Sequence, residues 1–198
     1  MASSGEIDIL FDVRNNYYIG AYQGCINEAQ NLKTRTESEI LLKDIFLYRA
    51  YIALNKFSIP LGEIDPVKAQ LPLRAIRRFA EFMSAKSDGK TKILSELTAE
   101  LESGKLENDE MNILMASLIF IQTDNVEDAL RALNFSEASS SLECQAAQVQ
   151  CLLKLNRPDI ALKTLKKMQE IDEDCTITQL ATAWVFLKYI CIFKLCIL

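Results

Sequence analysis

The chain has no histidine, one tryptophan, four prolines and six glycines among its 198 residues. Histidine is the commonest general acid or base and the usual partner of a serine or cysteine nucleophile, so its absence removes most hydrolytic and transfer chemistry at once. The glycines are scattered, and no phosphate-cradling glycine loop occurs. With so few helix breakers and no alternation of apolar and polar residues, the chain reads as all-helical. Its 22 basic residues face 27 acidic ones, for a net charge of −5 without a basic block, which argues against a nucleic-acid partner. The trio Arg74, Arg77 and Arg78 sits at helical spacing and reads as a solvated face. There is no C-x-x-C. Cys25, Cys144, Cys151, Cys175, Cys191 and Cys196 are therefore expected to be buried free thiols. The start, Met1 to Glu6, lacks the charged and apolar regions of a signal peptide, and we expect a cytosolic, reducing environment. There Asn134-Phe-Ser136 would carry no glycan. Asp172-Glu-Asp174 reads as a solvated helix cap rather than a metal cluster. No enzyme activity, cofactor, metal or small-molecule substrate is expected.

What is present is a repeat. Tyr22, Phe57, Thr91, Val126 and Pro158 each open the second helix of a helix pair, at separations of 35, 34, 35 and 32 residues. Three positions past each comes a residue that must tuck between helices: Cys25, Pro60, Leu94, Ala129 and Ala161. A period near 34 is the mark of stacked helix pairs. Gly20-Ala-Tyr22, Asn55-Lys-Phe57, Asp124-Asn-Val126 and Asn156-Arg-Pro158 are the expected turns, and Ser87-Asp-Gly-Lys the turn of the least regular third pair. Pro60 should leave its helix short. Helix starts are expected from Ser3-x-x-Glu6, Ser140-x-x-Glu143 and Thr176-x-x-Gln179, the last opening a helix over Ile177–Val185. Loops are expected at Lys33–Ser38 and Ser136–Ser141.

These landmarks resemble tetratricopeptide repeats, although that family's Trp-x-x-Leu-Gly-x-x-Tyr is nowhere intact. The resemblance implies a right-handed α-solenoid of about five tetratricopeptide-like helix pairs plus one helix over residues 1–185, with a divergent hydrophobic tail at 186–198. In such a stack the first helix of each pair faces the concave side. That places Ile7, Leu10, Arg14 and Tyr17 there from the first pair, and Leu42, Ile45, Arg49 and Ile52 from the second. The fourth pair supplies Met111, Leu114, Leu118 and Ile121; the fifth supplies Glu143, Ala146, Gln150 and Leu153. The candidate partner-binding residues are Leu10, Arg14, Tyr17, Ile45, Arg49, Ile52, Leu114, Leu118, Ile121 and Leu153. Apolar side chains dominate that set, as an exposed protein interface would. A co-chaperone adaptor clasping a peptide carboxylate is the alternative, with Arg14 and Arg49 as its cations.

The order of the segments narrows the resemblance. Leu10-Phe-Asp-Val-Arg14, Tyr18-Ile-Gly-Ala-Tyr22, Cys25-Ile-Asn-Glu-Ala29 and Phe46-Leu-Tyr-Arg-Ala-Tyr51 resemble the coatomer epsilon-subunit family. So do Ala129-Leu-Arg-Ala-Leu133, Ser141-Leu-Glu-Cys144 and Met168 through Trp184, in consistent order over residues 6–185. The resemblance implies a structural subunit of the COPI vesicle coat, cytoplasmic and recruited peripherally to Golgi membranes and vesicles. It also implies a solenoid that curls around the C-terminal region of the coatomer alpha subunit. From Phe186 onward the sequence departs from the family pattern. Lys188 and Lys194 interrupt this apolar tail, which speaks against a membrane anchor.

Overall fold

The computed structural model describes residues 8–134 and 140–197, with side chains described through Ile190. Ile7, the Ser3-x-x-Glu6 cap, Phe135–Ser139 with most of the sequon, and the side chains of Cys191 and Cys196 lie outside the described residues. Every regular element among the described residues is a helix. The chain divides into two compact units, residues 1–81 and 82–198.

The first unit contains α1 (Phe11–Tyr18), α2 (Tyr22–Asn31), α3 (Glu37–Ala53), α4 (Ser58–Glu63) and most of α5 (Leu71–Ser84). Helix α1 packs on α2, and α2 on α3. Leu10, Val13, Cys25, Ile26, Ala29, Phe46 and Ala50 form the core between them, edged by Tyr17, Tyr18 and Tyr22. Helix α3 starts earlier than the expected loop allowed. Thr36 Oγ1 accepts the Glu39 amide at 3.2 Å, and the Glu39 carboxylate accepts the Thr36 amide at 3.0 Å, a reciprocal cap inside Lys33–Ser38. The same carboxylate accepts the Arg35 amide, and these two backbone donors lower its pKa. Helix α4 has only six residues and buries Pro60, as the proline demands. The arginine trio corrects an expectation: Arg74, Arg77 and Arg78 are half-buried rather than a solvated face. Arg77 donates to the carbonyls of Leu61 and Ile64 and pairs with Glu81, closing the end of α4.

The second unit holds the end of α5, then α6 (Ser87–Glu102), α7 (Glu110–Gln122), α8 (Val126–Asn134), α9 (Leu142–Lys154), α10 (Pro158–Asp172) and α11 (Thr176–Ile197). Helix α7 packs on α8, α9 on α10, and each pair on the next, so α8 meets α9 and α10 meets α11. This adjacent-pair stacking is the packing of a helical solenoid. Ser87-Asp-Gly-Lys is not a turn but the first turn of α6, where an aspartate suits the exposed amides. Leu97 and Leu101 are buried from α6, while Leu94 is only half-buried. The cap of α9 is Ser141 rather than Ser140; its hydroxyl accepts the Cys144 amide at 3.2 Å. The Gln179 side chain donates to the Glu173 carbonyl at 2.7 Å. Helix α11 runs unbroken through positions 185 and 186.

One backbone device recurs at the hairpins. Asn55, Asp124 and Asn156 have φ of 59°, 62° and 56°, and Gly20 holds the matching place after α1 at 81°. After each of the three non-glycine positions the next amide reaches five residues back: Lys56 to Tyr51, Asn125 to Phe120 and Arg157 to Leu152, at 2.8–2.9 Å. The left-handed residue's own amide reaches three back, to Ile52, Ile121 and Leu153 respectively. This pair of bonds closes the end of a helix and turns the chain. Only glycine, asparagine and aspartate adopt that conformation readily. Three residues past each second-helix start, Cys25, Ala129 and Ala161 are fully buried, so small side chains let the paired helices approach. Replacing Asn156 with Ala should cost about 1 kcal/mol of stability through the left-handed strain. Asn156→Gly should be neutral or stabilising, with urea unfolding of both variants as the check.

Candidate partner-binding site

The side chains available to a partner are set by what each helix covers. In α7, Met111 through Ser117 and Ile119 through Ile121 are all buried, because the helix is enclosed by its neighbours. In α9, Val149 and Leu152 join Ala161, Leu165 and Met168 of α10 and Ala181 and Val185 of α11 in one cluster. Helix α11 thereby spends one side on the core, where Thr178 is also fully buried. Its flank, facing along α9, is left open.

That flank and α9 form a groove of about 460 Å³ lined by Gln150, Leu153, Lys154, Trp184, Leu187 and Lys188. Leu153, Trp184 and Leu187 make it apolar, and Trp184 is half exposed. Lys154 Nζ donates to the Ile121 carbonyl at 3.2 Å and lies 3.5 Å from Asp124, which fixes the amine at the end of α7. No carboxylate lines the groove. Its chemistry suits an apolar side chain carried on a segment with acidic or amide neighbours. Apart from the two lysine amines it holds no candidate nucleophile or general base. No group of three metal-ligating side chains occurs among the described residues.

The ten residues expected to meet a partner fall into two sets. Leu10, Ile45, Ile52, Leu114 and Ile121 are 3–6% exposed, and each is part of its own unit's core. Arg49 is also buried, with its guanidinium 4.5 Å from the Tyr17 ring centroid and 5.3 Å from that of Phe46. Arg14, Tyr17, Leu118 and Leu153 are half-buried. Arg14 pairs with Asp8, and Tyr17 packs edge-on to Phe46 with centroids 5.6 Å apart. The two arginines of a carboxylate clamp are thus both engaged within the first unit. Of the ten, Leu153 lines the groove; Leu118 is the other half-buried apolar member in the second unit. Trp184 and Leu187 were missed because neither belongs to the first helix of a complete pair.

The thiols behave as small apolar residues. Cys25, Cys144 and Cys151 are buried and free, and Cys175 is partly exposed. Burial pushes the Cys25 and Cys151 thiols up to about 11. Asp172 accepts the amides of Asp174 and Cys175 at 3.1 and 3.0 Å, so its carboxylate caps the turn before α11.

A family model described as coatomer epsilon subunit matches residues 6–189. The chain belongs to the coatomer epsilon subunit family. It is 40% identical over 178 residues to coatomer subunit epsilon of Caenorhabditis elegans, covering 90% of this chain and 59% of that protein. Coatomer subunit epsilon-1 of Arabidopsis thaliana is 35% identical over 185 residues, covering 93% and 61%. Coatomer subunit epsilon of Dictyostelium discoideum is 32% identical over 191 residues, covering 90% and 60%. The chain thus spans about three fifths of the length of these curated relatives. The match to the epsilon family runs into α11 and includes Trp184. Among the described residues, no helix is long and apolar enough to cross a membrane.

Alkylation of the folded chain with iodoacetamide at pH 8 should label Cys175 and spare Cys25, Cys144 and Cys151, read by peptide mass mapping. The raised thiols also fix a sign. As pH climbs from about 9 to about 11, the unfolded chain releases protons that folded Cys25 and Cys151 retain, so stability should fall across that window.

Proposed function

We propose that this chain is a non-enzymatic structural subunit of the COPI coatomer, which scaffolds the alpha subunit in vesicle transport between Golgi and endoplasmic reticulum. The observation that carries this reading is the epsilon-subunit family match over residues 6–189, nearly the whole chain. On this reading the chain works in the cytoplasm and reaches Golgi membranes and COPI vesicles only through the coat. Its partner is the C-terminal region of the alpha subunit, and no nucleic acid or small molecule is required.

The groove supports a specific mode of capture. A segment of the partner lays an apolar side chain between Leu153, Trp184 and Leu187, and Lys188 favours acidic neighbours along it. Leu118, Tyr17 and Arg14 are the other half-buried members of the expected set, Arg14 being paired with Asp8. Leu10, Ile45, Ile52, Leu114 and Ile121 are buried, and on this reading they do not touch the partner. Aromatic anchors in partly desolvated pockets dominate most protein interfaces, which makes Trp184 the expected hot spot.

Titration of the alpha subunit's C-terminal region into the full chain tests this. Leu153→Asp and Trp184→Ala should each weaken capture by about tenfold or more while helicity stays unchanged. Ile171→Asp, on the exposed side of α10, should leave capture intact. Capture unaffected by Leu153→Asp would reject the groove, and no capture by the unaltered chain would reject the scaffold reading itself. Leu114→Asp places a charge in the core and should unfold the second unit, as a melt by circular dichroism would show.

A further inference from the structure

Two lysines border the groove, and the chain itself satisfies one of them. The Lys154 amine is held between the Ile121 carbonyl and the Asp124 carboxylate, at the end of α7. Among the described residues, none forms a hydrogen bond or an ion pair with the Lys188 side chain.

The internal repeat explains the difference. Helix α9 packs on α7 as α11 packs on α9, and α11 starts 34 residues after α9, at Thr176 against Leu142. That shift matches Cys144 with Thr178, Ala147 with Ala181 and Cys151 with Val185, and all six are buried. It also matches Leu153 with Leu187 and Lys154 with Lys188. Lys188 is therefore to α9 what Lys154 is to α7, a cation set beside the preceding first helix. The hairpin residue is what differs. After α7 the left-handed position holds Asp124, which supplies the counter-charge; after α9 it holds Asn156, which is neutral. The acidic side chain in the first turn of α10, Asp159, is taken by Arg157 through two bonds of 3.1 Å. The groove between α9 and α11 thus repeats the cation without its anion.

We propose that Lys188 pairs with a carboxylate of the docked segment, an aspartate or glutamate next to the apolar side chain that enters the groove. That carboxylate takes the place Asp124 holds beside Lys154. The assignment rests on capture of the alpha subunit's C-terminal region by this groove, and it divides the two lysines by role. Lys154 is a positioning residue, with its amine engaged by α7. Lys188 determines specificity. It is half-buried and lines the groove together with α9, so its charge acts on the groove's occupant. An exposed ion pair adds little to stability, whereas a charge at the edge of a groove speeds the encounter and selects among partners.

Titration of the alpha subunit's C-terminal region into the full chain at ~50 and ~300 mM salt tests the assignment. Lys188→Met should weaken capture about three- to tenfold at low salt and flatten its salt dependence, and Lys188→Glu should weaken it further. Lys188→Arg should keep both the affinity and the salt dependence. Asn156→Asp is the sharper variant. Aspartate keeps the left-handed turn, as Asp124 does, and gives Lys188 the internal partner that Lys154 already has. It should weaken capture at low salt about as much as Lys188→Met does, with helicity unchanged. Lys166→Glu, on the exposed side of α10, should alter neither affinity nor salt dependence. Capture indifferent to Lys188→Glu would overturn the assignment and leave the groove standing, as would a salt dependence that survives both Lys188→Met and Asn156→Asp. No capture by the unaltered chain at either salt would overturn it together with the scaffold reading.

Discussion

A helix pair has two apolar flanks and covers only one of them by itself. Each flank left over must be covered by the next pair, and this dependence orders the second unit from α7 to α11. Helix α7, enclosed, buries nearly every residue, polar Asn112 and Ser117 included. In helix α9, Cys144 reaches the Glu110 carbonyl at the start of α7, while Val149 and Leu152 join the cluster with α10 and α11. Helix α11 receives cover on one side only, with Thr178, Ala181 and Val185 inside and Leu180, Trp184 and Leu187 outside. The proposed groove beside Leu153 lies between α9 and the open flank of α11.

Within each unit the chemistry is quiet. The Arg49 guanidinium lies over aromatic rings, Lys154 is tied to the end of α7, and two buried thiols stay protonated well above neutral pH. Groups that a catalyst would leave poised are here engaged in holding helices together. The surface offers shape and apolar area instead, which suits a member of a coat-subunit family.

The repeat was legible because its punctuation has few solutions. A left-handed residue follows the first helix of four pairs: Gly20, Asn55, Asp124 and Asn156. A small residue must sit where the paired helices touch, and Cys25, Ala129 and Ala161 do. The start of α6 is ambiguous in sequence: Asp88 and Gly89 suit a turn, yet Asp88 equally suits the first turn of a helix. Helical spacing does not announce the burial of Arg77, because its partners, the carbonyls of Leu61 and Ile64, are backbone groups. The partner-binding residues were the least legible. Helical spacing puts Leu114 and Leu118 on one side of α7, but it cannot distinguish a leucine facing a neighbour from one facing a groove. Leu114 is buried, whereas Leu118 keeps some surface. The half-exposure of Trp184 has no signal in helical spacing.

Hydrogen–deuterium exchange of the chain, with and without the alpha subunit's C-terminal region, tests the scaffold account most directly. The account predicts added protection in segments 146–154 and 180–188, which border the groove, and little change in α10. Protection confined to α8 and α10, or none anywhere at saturating partner, would contradict it.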